Sequence, residues 1–205
     1  MSTVQPVHFV PSVAVEERAR ADLYALLARL FYAGPDSALL ADIAAAEGLV
    51  APSDSALSRA WSALREASAA GQAAQARQEY DDIFVGAGRA PVSIYAAHYL
   101  TENWKDHTLV NLRGELDRLG LARQPGAVEP EDHLAGLLDV MRHLILRAQD
   151  GDIALQEGFF RSYLAPWYAK FAAAVQADAN AAYYRHVSAL LCAFLDIEVE
   201  CFQIA

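Results

Sequence analysis

Apolar residues along this 205-residue chain recur at three- and four-residue intervals, the spacing of helical faces. Leu23, Leu26, Leu27, Leu30 and Phe31 share one face, with Glu16, Glu17, Arg18 and Arg20 in the turns before them. Gly34-Pro35 stops that helix. Asp36 is placed to cap a second, whose inward positions are Leu39, Leu40 and Ile43 before Gly48. Ser53 or Ser55 opens a third, with Leu57, Trp61 and Leu64 inward, and Gly71 ends it. An Ala/Gln-rich helix then runs toward Phe84. After an irregular stretch from Gly86 to about Ser93, helical spacing resumes over Tyr95–Trp104 and again over Leu109–Leu119. Gly120, Pro125 and Gly126 mark a further loop. The longest stripe is Leu134, Leu137, Leu138, Met141, Leu144 and Ile145. Pro130 is predicted at the first position of that helix, with Glu131 and Asp132 complementing its positive end. Phe159 and Phe160 lead a segment that Pro166 kinks or breaks. A last helix is predicted from about Ala177 to Leu195. No run sustains a period of two, so the pattern predicts an all-α fold. It is read as a single compact multi-helix domain of roughly eight to ten helices. The domain is placed at residues 13–205, behind a flexible N-terminal arm, 1–12, that carries Pro6 and Pro11.

Composition narrows the function. Hydrophobic residues make up 55% and charged residues 20%, enough apolar content to fold. The formal charge of −10 argues against nonspecific binding to nucleic acid or anionic lipid and favours a basic partner. The two cysteines, Cys192 and Cys201, form no Cys-x-x-Cys, which disfavours structural zinc or a thioredoxin-like centre. The first residues have no basic region followed by a long apolar run, and no window holds ~18 uninterrupted apolar residues. No stable membrane insertion is expected, and a cytoplasmic location is.

Familiar catalytic motifs are missing. Gly86-Ala87-Gly88 begins like a dinucleotide loop, but Pro91 stands where the third glycine belongs, and the residues before it read as helix. No Gly-x-x-x-x-Gly-Lys-Ser/Thr loop occurs. None of the six histidines follows a glutamate by three positions, as di-iron bundles require. His98 and Glu102 share a helical face, the basis of an alternative reading as a helical nucleotide- or metal-binding protein or enzyme. The main reading expects no cofactor, no metal and no catalysis.

Three local features stand out, each with two readings. Tyr80, Ile83 and Phe84 share a helical face that ends in the glycine pair; they are core, or one wall of a groove. Asp132-His133, beside Glu129 and Glu131, is a capping pair with an exposed imidazole, or a polar corner that receives a guanidinium. Tyr163-Leu164-Ala165-Pro166-Trp167 is core, or lines a groove.

Taken in order, these stretches resemble the TorD/DmsD/NarJ-like family of cytoplasmic chaperones for molybdenum-containing redox enzymes. The family's Glu-Tyr-x-x-Leu-Phe-x-Gly-Pro-Gly is matched by Glu79-Tyr80-Asp81-Asp82-Ile83-Phe84-Val85-Gly86-Ala87-Gly88, and its proline-rich Glu-Ser-Val-Tyr by Pro91-Val92-Ser93-Ile94-Tyr95. Glu129-Pro130-Glu131-Asp132-His133-Leu134 and Tyr163–Trp167 match two later stretches. Ala87, Val92 and Tyr163 depart from the family's proline, glutamate and histidine. The resemblance spans roughly residues 15–197. It implies an all-helical, non-enzymatic chaperone, monomeric or a swapped dimer. It also implies binding of the twin-arginine leader peptide of an apo-molybdoenzyme catalytic subunit, delaying export until the cofactor is inserted. The positions it assigns to peptide or client binding are Tyr80, Ile83, Phe84, Pro91, Ser93, Tyr95, Asp132 and His133.

Overall fold

The computed structural model describes residues 14–49, 51–86, 89–100, 105–124, 126, 128–147 and 153–204. The expected arm 1–12 and the positions Ala87, Gly88 and Glu102 lie outside the described residues. The all-α expectation holds. In chain order the helices are α1 (Val15–Tyr32), α2 (Ser37–Ala45), α3 (Ala56–Ala70), α4 (Ala73–Tyr80), α5 (Ala97–Leu100), α6 (Lys105–Arg118), α7 (Leu134–Arg147), α8 (Ile153–Tyr163), α9 (Tyr168–Ala177) and α10 (Tyr183–Ile204). A π turn, Asp81–Val85, continues α4. Among the described residues the only β-type pairing is an isolated antiparallel bridge between Tyr95 and His133. No helix among them is long and apolar enough to cross a membrane.

The predicted stripes become the core. Leu27, Leu30 and Phe31 of α1 are fully buried, as is the whole Leu134–Ile145 stripe of α7. α1 lies along α7, while α10 packs on α3 and α9. Trp167 and Leu164 are buried, and Trp167 stacks on Tyr99 at 5.2 Å, so these two residues of the Tyr163–Trp167 stretch are core, while Tyr163 and Ala165 are half-buried and Pro166 is exposed. A buried polar cluster ties α1 to α8 and α10. Arg20 grips Glu198 with two bonds of 2.7 Å and donates to Gln156 at 2.8 Å, and the Tyr24 hydroxyl donates to Glu198 at 2.8 Å. Removing one partner of so enclosed a charge pair costs about 3–5 kcal/mol.

Where a helix end is fixed by its neighbours in sequence, the prediction and the structure agree. Asp36 accepts the Leu39 N–H at 2.7 Å, and Ser55 accepts that of Ser58 at 3.1 Å. α1 stops before Gly34-Pro35, α3 stops at Gly71, and Pro166 falls between α8 and α9. Several boundaries differ: α6 starts at Lys105, before the expected Leu109, and α10 runs on to Ile204, past the expected Leu195. α7 begins at Leu134, not at Pro130, because the 130–133 turn is pinned to the 94–97 segment. α10 begins at Tyr183, not near Ala177, because its first N–H groups are capped by a residue from α4.

Candidate functional site

The Glu79–Phe84 stretch sits inside the fold. The Tyr183 N–H donates to Glu79 Oε2 at 3.0 Å and the Tyr184 N–H to Oε1 at 2.7 Å, so one carboxylate caps the start of α10. The Tyr80 hydroxyl donates to the carbonyls of Phe31 (3.1 Å) and Tyr32 (3.0 Å), which the end of α1 leaves without helical partners. Burial pushes the Tyr80 phenol well above its usual range, keeping the proton it donates. Ile83 and Phe84 are buried. The Phe84 ring stacks on Phe171 at 5.9 Å and meets the Tyr184 ring edge-on at 5.2 Å. The π turn closes when the Gly86 N–H donates to the Asp81 carbonyl at 2.7 Å. Gly86 has φ of 61°, and a Cβ there would stand 2.8 Å from the Arg89 carbonyl oxygen, so only glycine makes this reversal without strain.

The chain then returns as a strap, residues 91–97, laid across the start of α7. The Val92 N–H donates to the Ile83 carbonyl at 3.1 Å. The Leu134 N–H donates to the Ile94 carbonyl at 3.0 Å, and the Ala96 N–H to the Asp132 carbonyl at 2.9 Å. Val92 is buried, a place that suits an apolar residue. Pro91 is exposed. Ser93 is half-buried; its Oγ accepts the Tyr95 N–H at 3.4 Å and its carbonyl accepts the Tyr99 hydroxyl at 2.9 Å.

Asp132 and His133 fasten the strap. Asp132 is 2% exposed, and its Oδ2 accepts the Ala97 N–H at 3.0 Å, capping α5. Burial raises its carboxyl pKa, against the pull of that N–H. His133 is 3% exposed, and its Nδ1 accepts the Ala135 N–H at 3.2 Å. That bond needs a neutral ring with its proton on Nε2. Burial lowers the imidazole pKa, opposed by Glu129. The ring meets Tyr95 edge-on at 5.3 Å and Tyr32 at 6.3 Å. The Tyr95 hydroxyl donates to Glu129. Burial and that bond push the Tyr95 phenol up to about 12.

The polar corner expected to receive a guanidinium is thus largely satisfied from within. Asp132 holds Ala97. Glu131 takes Arg113 two-pronged, at 3.1 and 3.0 Å, and its pKa is lowered chiefly by that bond. Of the three carboxylates, Glu129 keeps the most free accepting capacity.

Beside the strap lies a cleft of about 660 Å³. Its floor and sides are small or apolar: Ala25 and Ala28 of α1, Leu116 of α6, Leu121, and Gly136 and Val140 of α7. Tyr32 and His133 stand at one end with Glu129 and Glu131; Arg142 and His143 stand farther along α7. Of the eight residues singled out in the sequence, His133 lines this cleft, and Tyr95 and Asp132 hold its edge. Tyr80, Ile83 and Phe84 lie in the core, and Pro91 and Ser93 belong to the strap. The sequence reading missed Ala25, Ala28, Tyr32, Gly136 and Arg142. The one signal for them was the run of alanines on α1 flanking its bulky stripe, which leaves a shallow face against α7. His98 is exposed, edge-on to Tyr99 at 4.8 Å, and its proposed partner Glu102 lies outside the described residues. No group of three or more metal-ligating side chains gathers among the described residues.

A family profile described as nitrate reductase delta subunit matches residues 51–173, more than half of the chain. No curated protein matches it significantly.

Proposed function

The chain belongs to the nitrate reductase delta subunit family, and from that premise we propose that it is a maturation chaperone for a nitrate-reductase-type molybdoenzyme. It binds the apo form of the catalytic subunit through that subunit's leader segment, and it releases the segment after cofactor insertion. In this role it catalyses no reaction. The observation that carries the reading is the α1–α7 cleft, with its small apolar floor and aromatic end.

The leader's apolar stretch lies on the alanine-lined floor, and its twin-arginine head lies over Glu129. Burying several apolar side chains there supplies on the order of 5–10 kcal/mol gross at ~25 cal/mol per Å², less the cost of ordering the peptide. That balance gives micromolar, releasable binding. Tyr95 and His133 flank the bound peptide. Asp132, Pro91 and Ser93 shape the strap, while Tyr80, Ile83 and Phe84 anchor it through the Ile83–Val92 bond.

The test is a titration with a synthetic leader peptide, one with a shortened apolar stretch, and one with Lys-Lys in place of Arg-Arg. Shortening should abolish binding, and Lys-Lys should weaken it. A Gly136→Leu variant, filling the floor from an exposed helical position, should lose the intact leader while keeping its helical circular dichroism. Equal affinity for all three peptides, or unimpaired binding by Gly136→Leu, overturns the reading.

A further inference from the structure

The two ends of the cleft differ in their spare charge. Glu129 and Glu131 stand just before α7, whereas Arg142 and His143 lie about 15 Å from His133 at ~1.5 Å per residue. At the first end Glu131 is neutralised by Arg113. Among the described residues the Glu129 carboxylate accepts only the Tyr95 hydroxyl; the nearby Arg123 donates to the Glu129 backbone carbonyl at 3.0 Å, not to its carboxylate. At the far end Arg142 reaches, among the described residues, only Asp139, at 3.3 Å; the Asp139 side chain is largely open to solvent and that of Arg142 partly so. Such an exposed pair is worth little and exchanges readily for a better partner. His143 is exposed and makes no hydrogen bond to a described residue. Between the ends, Arg29 has Asp36 at 3.5 Å, also exposed. Arg123 and Asp139 soften the contrast without reversing it: spare anionic capacity at Glu129, spare cationic capacity at Arg142.

We infer that this polarity fixes the direction of the bound leader. Its basic head lies over Glu129, and a carboxylate-bearing side chain farther along meets Arg142 and His143. A span of about 15 Å is about ten residues of helix or four to five of extended chain. Arg142 is then a specificity-determining residue: it selects leaders whose apolar stretch is followed by an acidic residue at that distance. The inference rests on the leader-binding reading and refines it.

The experiment uses the full chain and paired leader peptides, identical but for one glutamate or one lysine ten residues, or four to five residues, after the arginine pair. The unsubstituted protein should prefer the glutamate peptide about fivefold. Arg142→Glu should reverse that preference, binding the lysine peptide better than the glutamate peptide. Should Arg142→Glu perturb folding by circular dichroism, Arg142→Gln serves instead and should erase the preference. An unchanged preference in either variant, or an equal loss for all peptides, overturns the inference while leaving leader binding intact. Failure of every leader to bind the unsubstituted protein overturns both.

Discussion

The Glu79–Phe84 stretch and the Glu129–His143 stretch both attract a reader looking for a binding site, and the structure uses them in opposite ways. The first turns four of its six side chains inward, leaving Asp81 and Asp82 exposed: Glu79 caps α10, Tyr80 caps α1, and Ile83 and Phe84 fill the core. The second has one inward edge, Asp132 and His133, while Glu129, Gly136, Arg142 and His143 border an open cleft. A recognisable sequence pattern therefore marks where the frame is bolted as readily as where a partner docks. The residues free to choose a partner are those whose hydrogen bonds are not already spoken for.

The sharpest way to break that comparison is Phe84→Ala. As a core residue it should cost about 3–5 kcal/mol of stability, read as a lower urea midpoint at unchanged slope. A stable variant that only loses leader affinity would move Phe84 to the binding surface. Next in size is Glu79→Ala, which removes the cap from α10 and should cost about 1–3 kcal/mol. Hydrogen exchange should quicken first at the Tyr183 and Tyr184 amides, and unchanged protection there would refute the capping role.

His133 probes the seam between the two regions. Its folded pKa lies below the unfolded value of 6.5, so its neutral-ring bond is fully favourable above that pH and becomes a liability as the pH falls below it. Asp132, whose folded pKa is raised, acts in the opposite sense nearer pH 4. From about pH 6.5 downward stability should fall by up to ~1.4 kcal/mol per pH unit from His133, until its folded-state pKa is passed. His133→Gln should flatten that limb, and an equally steep one would show that another group titrates. The smallest effect is expected at Gly136→Ala. Its Cβ would stand 3.4 Å from the Glu131 carbonyl oxygen, and the helix should gain about 0.5–1 kcal/mol while the cleft floor narrows. Stabilisation with weaker leader binding would separate fold from docking; destabilisation would show that the glycine serves the frame.

Those positions also show what one chain of letters reveals. The α7 stripe and the Asp36 and Ser55 caps were legible because each is set by residues within about one helical turn. The start of α10 was not, because its cap comes from Glu79, 104 positions away. The π turn was hidden too: its extra residue is settled by Gly86 folding back on Arg89 and Ala90. The alternatives at Tyr80–Phe84 could not be separated from spacing, since a core face and a groove wall need the same apolar residues. The cleft was least visible, being defined by what alanine and glycine omit.

The Arg20–Glu198 pair has a consequence for the order of assembly. Its members are 178 residues apart, so α1 meets its counter-charge only when α10 has been made. Until then Arg20 has no such partner, and closing α1 over that site carries a cost. Contacts of such long range form late and slow the search for the native arrangement. Since α1 also forms one side of the cleft, a chain still being synthesised lacks a finished docking face, and competence to hold a client arrives together with the last turns of α10.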